Sequence, residues 1–147
     1  MTTVRDSIVD YATTALTTAL DTITDDPLVE VEPDGDPDRF PSLAIFDNGH
    51  RVIEREASIT RYRMQFTVEG YVTGGGGTDA RVKRNELQAI AVAALMSNDS
   101  FGGIIEEIEP TDLRMATADL ASQRRLMFVQ EFEIQFTTKR TNPALPA

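Results

Sequence analysis

Four groups of residues in this 147-residue chain are of types that could do chemistry. Asp34, Asp36 and Asp38 are alternating carboxylates of the kind that ligate calcium. A calcium loop needs Asp-x-Asp/Asn-x-Asp/Asn-Gly with a Glu at its twelfth position. Here Gly35 falls inside the run, Pro37 stiffens it and position 45 is Ile, so the stretch reads as an acidic solvent loop. Gly74, Gly75, Gly76 and Gly77 precede a helical pattern bearing Arg81, Lys83 and Arg84, and a helix N-terminus attracts anions. A phosphate loop requires Gly-x-x-x-x-Gly-Lys-Ser/Thr, and the dinucleotide fingerprint requires Gly-x-Gly-x-x-Gly inside a βαβ unit. Neither fits, and four glycines read instead as a mobile loop. His50 is the one histidine. It cannot build a multi-histidine metal site, and no Ser or Asp is placed by sequence to complete a triad with it. Glu106, Glu107 and Glu109 imitate paired catalytic carboxylates, but on an alternating strand Glu107 and Glu109 share a face that is ordinarily solvated or an interface. No catalytic residue, cofactor or metal is therefore expected, and the chain reads as non-enzymatic.

The element that must position most of these groups is the stretch Ile59–Val72. Tyr62, Met64, Phe66, Val68 and Val72 alternate with Arg61, Arg63, Gln65, Thr67, Glu69 and Tyr71. That period-2 pattern predicts a long strand with one face on a core and one polar face, placed in mid-sheet because long exposed edges invite aggregation. Leu126–Thr137 repeats the pattern, with Phe128, Phe132, Ile134 and Phe136 against Glu131, Glu133 and Gln135. Arg61, Arg63, Glu69, Glu131 and Glu133 are the candidate contacts to another chain, and Gly74–Gly77 a candidate mobile segment that orders on such contact.

Around these strands, Val4, Ile8, Tyr11, Ala12, Ala15, Leu16, Ala19, Leu20 and Ile23 predict an amphipathic helix over Thr3–Ile23, capped by Thr2 or Thr3. Leu28–Glu32 is a short strand and Pro33–Pro41 a loop. Ser42–Asp47 and His50–Ile53 are expected to pair as a hairpin across Asn48-Gly49. A second helix runs from Thr78 or Asp79 to about Ser97, burying Val82, Leu87, Ile90, Ala91, Ala94 and Leu95, with Ala89, Ala93 and Met96 broadening the face. Ile104–Glu109 alternates weakly, and Leu113 and Met115 extend it after a bulge. Ala116–Arg125 reads either as a hairpin connection or as a short helix. Residues 1–138 then form one α+β domain, a two-layer sandwich of a mostly antiparallel sheet with two helices on one face, and 139–147 a flexible tail.

Composition narrows the function classes. Hydrophobic residues at 41% support a core, and no Cys is present, which removes disulfides, thiolate metal sites and thiol nucleophiles. No apolar run approaches the roughly 20 residues of a membrane span, and the start of the chain lacks an apolar signal segment. Cytoplasmic synthesis and no membrane partner are the expectation. The net charge is −10. Residues 1–54 carry 12 acids against Arg5, Arg39 and Arg51, a net of −9, and residues 55–147 carry 12 acids against 11 bases, a net of −1. Tight phosphate-backbone binding needs clustered Lys and Arg, so DNA is expected to be repelled rather than held.

The order of these elements resembles the tail terminator proteins of long-tailed bacteriophages, the minor tail protein U type, across most of residues 1–137. The resemblance is carried by the opening helix, by Phe40-Pro41-Ser42-Leu43-Ala44-Ile45 and the Tyr62–Val72 strand. It also draws on the loop into Asp79–Ser97, on Asp99 with Phe101-Gly102-Gly103, and on the closing Phe128–Phe136 strand. The Gly74–Gly77 run and the acidic Asp25–Asp38 segment match no rule of that family. The resemblance implies a structural virion protein at the neck end of a phage tail or gene transfer particle, made in the host bacterial cytoplasm. It implies a homo-oligomeric ring, commonly a hexamer, that caps the tail tube protein, ends tube polymerisation and meets the head-side connector while DNA passes through its lumen. Other neck and tail-completion proteins share these features, and a small α+β ligand-binding domain or enzyme is the reading from a different class.

Overall fold

A computed structural model describes residues 2–74, 77–120 and 123–147. Helix α1 (Val4–Leu20) opens on a capping box: Asp6 N–H donates to Thr3 Oγ1 (3.1 Å), and Thr3 N–H donates to Asp6 Oδ2 (3.1 Å). Such a cap is worth about 1 kcal/mol, and the bonds from Thr3 hold the Asp6 carboxyl below the usual carboxylate range. Val4, Ile8, Ala12, Leu16 and Leu20 recur at four-residue steps and are all buried. The helix ends at Leu20 rather than Ile23, and Ile23 is exposed.

Strands β1 (Leu28–Val31), β2 (Ser42–Arg55), β3 (Ile59–Tyr71), β4 (Glu107–Leu120), β5 (Gln123–Lys139) and β6 (Asn142–Pro146) form one sheet in the order β1-β2-β3-β5-β4, with β6 paired to β5. Only β1 and β2 run parallel; the other pairs are antiparallel. Helix α2 (Gly77–Met96) lies beside α1 on the inner face. The domain is therefore the expected α+β two-layer sandwich, mostly antiparallel, with both helices on one face. No helix among the described residues is long and apolar enough to cross a membrane.

β3 is the spine of the sheet, bonded along its whole length to β2 and β5. Its even-numbered side is core: Met64, Phe66 and Val68 are fully buried, and Tyr62 and Val72 nearly so. Phe128, Phe132, Ile134 and Phe136 of β5 join them from the neighbouring strand.

Several local expectations are corrected. Asn48-Gly49 is not a hairpin turn: β2 runs straight through it, and both halves pair with β3, Asp47 opposite Phe66 and His50 opposite Met64. Three residues of β2 thus advance against two of β3, and Gly49 takes up the extra one at φ +91°. A β-bulge and a hairpin turn make the same demand for positive φ, so the dipeptide alone does not choose between them. The reversal comes at Glu56–Ser58, where Glu56 N–H donates to the Ile59 carbonyl (3.0 Å).

Ala116–Arg125 is neither loop nor helix in its described part, since β4 continues to Leu120 and β5 starts at Gln123. On α2 the buried residues are Ala80, Leu87, Ala91 and Leu95, while Val82, Ala89 and Ala93 are exposed. Val82 lies five residues before Leu87, about 140° around the helix. Residues 139–147, expected as a flexible tail, include β6, which uses the margin of β5 left open where β4 begins opposite Gln135. Pro143 and Pro146 are tolerated there because an edge strand needs few donors. Of the glycine run, Gly75 and Gly76 lie outside the described residues; Gly74 sits at φ +92° and Gly77 starts α2.

Candidate interaction face of the sheet

The odd-numbered side chains of β3 point away from the helices, and cross-strand registry decides which charges meet there. Arg61 pairs with Glu54 of β2 in register. Its guanidinium donates through Nε and Nη2 to the two oxygens of Glu106 (2.6 and 3.1 Å) and through Nη1 to Glu54, with Glu56 at 3.8 Å. The Glu106 hydrogen bonds, ahead of the nearby acidic charges, raise the Arg61 pKa further above its ordinary value. This fork-on-fork contact fixes Arg61 geometrically, while solvent screening keeps its energetic weight small.

Arg63 reaches Glu133 across the sheet (3.6 Å), and Gln65 donates to the other oxygen of Glu133 (3.5 Å). Glu107 and Glu109 stand on the same row, opposite Gln135 and Glu133 of β5. A hydrogen bond between Glu107 and Glu109, with their mutual repulsion, raises the Glu107 pKa, and Arg63 opposes this. The sequence places these two carboxylates on one face, and the structure adds Arg63 and Glu133 to them.

Toward the other end of β3, Glu69 accepts the Tyr71 hydroxyl (2.8 Å). Burial, then that bond and the charges of Glu69 and Asp36, push the phenol pKa up. Glu131 lies opposite Thr67. The five candidate contacts therefore share one side of the sheet, with Arg61, Arg63 and Glu133 engaged in ion pairs within the chain. Asp34, Asp36 and Asp38 stay in the loop before β2, where Arg39 bridges Asp26 (3.1 Å) and Asp38 (3.6 Å). Among the described residues no three His, Asp or Glu side chains are grouped to hold a metal ion.

A second cluster, on the inner side at the start of α1, has no counterpart in the sequence analysis. Arg5 bonds to Asp47 (2.6 Å from Nε) and lies 2.6 Å from His50 Nδ1 through Nη1. His50 packs on Tyr62 (ring centroids 4.2 Å apart), and Tyr62 stacks on Phe136 (5.2 Å). Arg5, His50, Tyr62 and Phe136, with Thr3, Thr138 and β6, line a cavity of about 260 Å³. Burial, then the Arg5 charge, lower the His50 pKa, and Asp47 opposes them. The bulge at Asn48-Gly49 creates this cluster by turning Asp47 and His50 to the inner face together.

A scan against models of protein families matches none, and a search of curated proteins returns no significant match.

Proposed function

We propose that this chain is a tail terminator of the minor tail protein U type. It forms a homo-oligomeric ring, commonly a hexamer, that caps the tail tube, ends its polymerisation and joins the tail to the head-side connector. The observation that carries the reading is the outer side of the sheet. Among the described residues no helix packs on it, and it holds a row of charges — Arg61, Arg63, Glu107, Glu109 and Glu133 — fixed by cross-strand pairs. A charged and geometrically fixed surface suits protein contacts in which each patch meets a defined partner. The net −10 charge suits a passage through which DNA moves without being held. Another neck or tail-completion role at the same head–tail junction is the nearest variant of this reading.

The experiment is co-assembly with the tail tube protein of the same particle. Tubes of defined length with a ring at one end, seen by negative-stain microscopy, support the reading. Tubes that grow to the same length with and without the chain, and bear no ring, overturn it.

The cavity at Arg5, His50, Tyr62 and Phe136 favours a second reading, a small ligand-binding domain. Its signature is a monomer whose melting temperature rises with ligand.

A further inference from the structure

We propose that the ring closes edge to edge, the free margin of β4 in one copy pairing antiparallel with the free margin of β2 in the next. This rests on the ring reading above and names the joint that would close it. β1 covers β2 only along Ser42–Ile45, so among the described residues no strand pairs with the outer margin of β2 from Phe46 to Arg55. At the opposite end of the sheet β4, 14 residues long, is bonded among the described residues to β5 alone. Margins of this length recruit a further strand unless they are blunted.

Three further observations select a second copy as the occupant. Four large exposed hydrophobics stand at the two margins, Val31 and Val52 at one, Leu113 and Met115 at the other. Val52 (37% exposed) pairs with Tyr62, and Met115 (42%) with Phe128, so both stand on the inner side of the sheet and would meet there.

Strand sense also agrees. β2 and β5 run one way and β3 and β4 the other. A rotation about an axis along the strands preserves each sense, so β4 of one copy arrives antiparallel to β2 of its neighbour. The joint is heterologous, repeats at every subunit and closes into a ring.

The charges are compatible with the joint. The β2 margin balances Arg51 and Arg55 against Asp47 and Glu54, whereas the β4 margin is acidic, with Glu107, Glu109, Asp112 and Asp119 against Arg114. Setting Val52 opposite Met115 places Arg51 beside Ala116 instead of Arg114. The bulge at Asn48-Gly49, a second register shift between Val52 and Glu54, and the shift after Pro110 confine regular pairing to the segments around His50–Val52 and Met115–Thr117.

The test uses Val52→Lys and Met115→Lys, each of which spoils one margin with a charge at a position exposed in the single copy. Circular dichroism should match the unaltered chain, and each variant should melt cooperatively. By native mass spectrometry and sedimentation, the unaltered chain forms rings and each variant alone is a 16.2 kDa monomer. An equimolar mixture gives a dimer and nothing larger, because the Met115→Lys copy keeps its β2 margin and the Val52→Lys copy keeps its β4 margin. Rings formed by both variants overturn the joint and leave the ring reading standing. Self-association of Val52→Lys alone means β4 pairs with β4, which also overturns the joint. An unaltered chain that stays monomeric at every concentration and also forms no ring on tail tubes removes joint and ring together.

Discussion

Gly70 of β3 and Phe128 of β5 face each other across the sheet, and the aromatic ring occupies the space a side chain at Gly70 would need. A Cβ at Gly70 would stand 2.0 Å from Phe128 Cε2 and 2.5 Å from Cζ. Phe128 is fully buried and sits in the core cluster beneath both helices. Glycine here is thus a packing requirement, one missing methyl that lets an aromatic ring lie flat on the neighbouring strand. Gly70→Ala should destabilise the domain by about 1–3 kcal/mol through overpacking, read as a lower urea midpoint at unchanged slope. Combining it with Phe128→Leu should recover part of the loss, since the smaller side chain vacates the contested space. Simple additivity of the two would show that they do not compete.

His50 gives the fold an acid sensitivity of definite sign. Its folded pKa lies below the ordinary 6.5 because of burial and the Arg5 charge. The contribution is therefore complete above about pH 6.5 and is lost as pH falls through the lowered folded value. The groups around it are Arg5 from α1, Asp47 from β2 and Tyr62 from β3. His50→Asn should flatten the difference in stability between pH 7 and pH 5 relative to the unaltered chain. Parallel pH profiles of denaturant midpoints would contradict the assignment. Other carboxylates titrate in both proteins, so the difference between the profiles isolates His50.

The parts of this fold legible in the sequence are those where one physical pattern had a single structural solution. Strict alternation in Ile59–Val72 and Leu126–Thr137 could only satisfy a half-buried strand, and the four-residue stripe of α1 only a packed helix. Asn48-Gly49 was misleading because its backbone requirement is common to a turn and a bulge, and the choice is made by pairing with β3, far along the chain. β6 was hidden because its affinity for β5 comes from a vacant margin, not from its own residues. The row of charges was half legible: periodicity put Arg61, Arg63, Glu131 and Glu133 on one side, but Glu106 is 45 residues from Arg61. The Arg5–Asp47–His50 cluster left no local trace, since its members meet only after α1 docks on β2.

Arg61→Glu together with Arg63→Glu should weaken ring formation while leaving the monomer folded. Both side chains lie on the outer side of β3, so the core is untouched. The reversal sets new carboxylates against Glu54, Glu106 and Glu133, which converts the fixed row of pairs into a repulsive strip. Surface pairs of this kind contribute little to stability, so melting should move by only a few degrees. Native mass spectrometry showing the same oligomer as the unaltered chain would remove the outer side of the sheet from the assembly contacts.

Gln130 is a polar side chain in the middle of the aromatic core, 2% exposed between Phe128 and Phe132. Its amide nitrogen donates to the carbonyls of Asp112 (3.3 Å) and Glu131 (2.9 Å), and its oxygen accepts from Gln88 of α2 (3.0 Å). Asp112 belongs to the irregular step where β4 shifts register between Pro110 and Leu113. Gln130 therefore fastens the β4 bulge to the core and to α2 at once. Gln130→Leu keeps a side chain of similar bulk but withdraws the donor to both carbonyls and the acceptor for Gln88. The expected cost is about 1–3 kcal/mol, the desolvation penalty of groups left unsatisfied. The loss should be local as well as global: amide exchange should accelerate first along Leu113–Ala116 of β4, while Tyr62–Val68 of β3 keeps its protection. Uniform acceleration across the whole sheet would show that Gln130 only supports the core and does not hold the bulge.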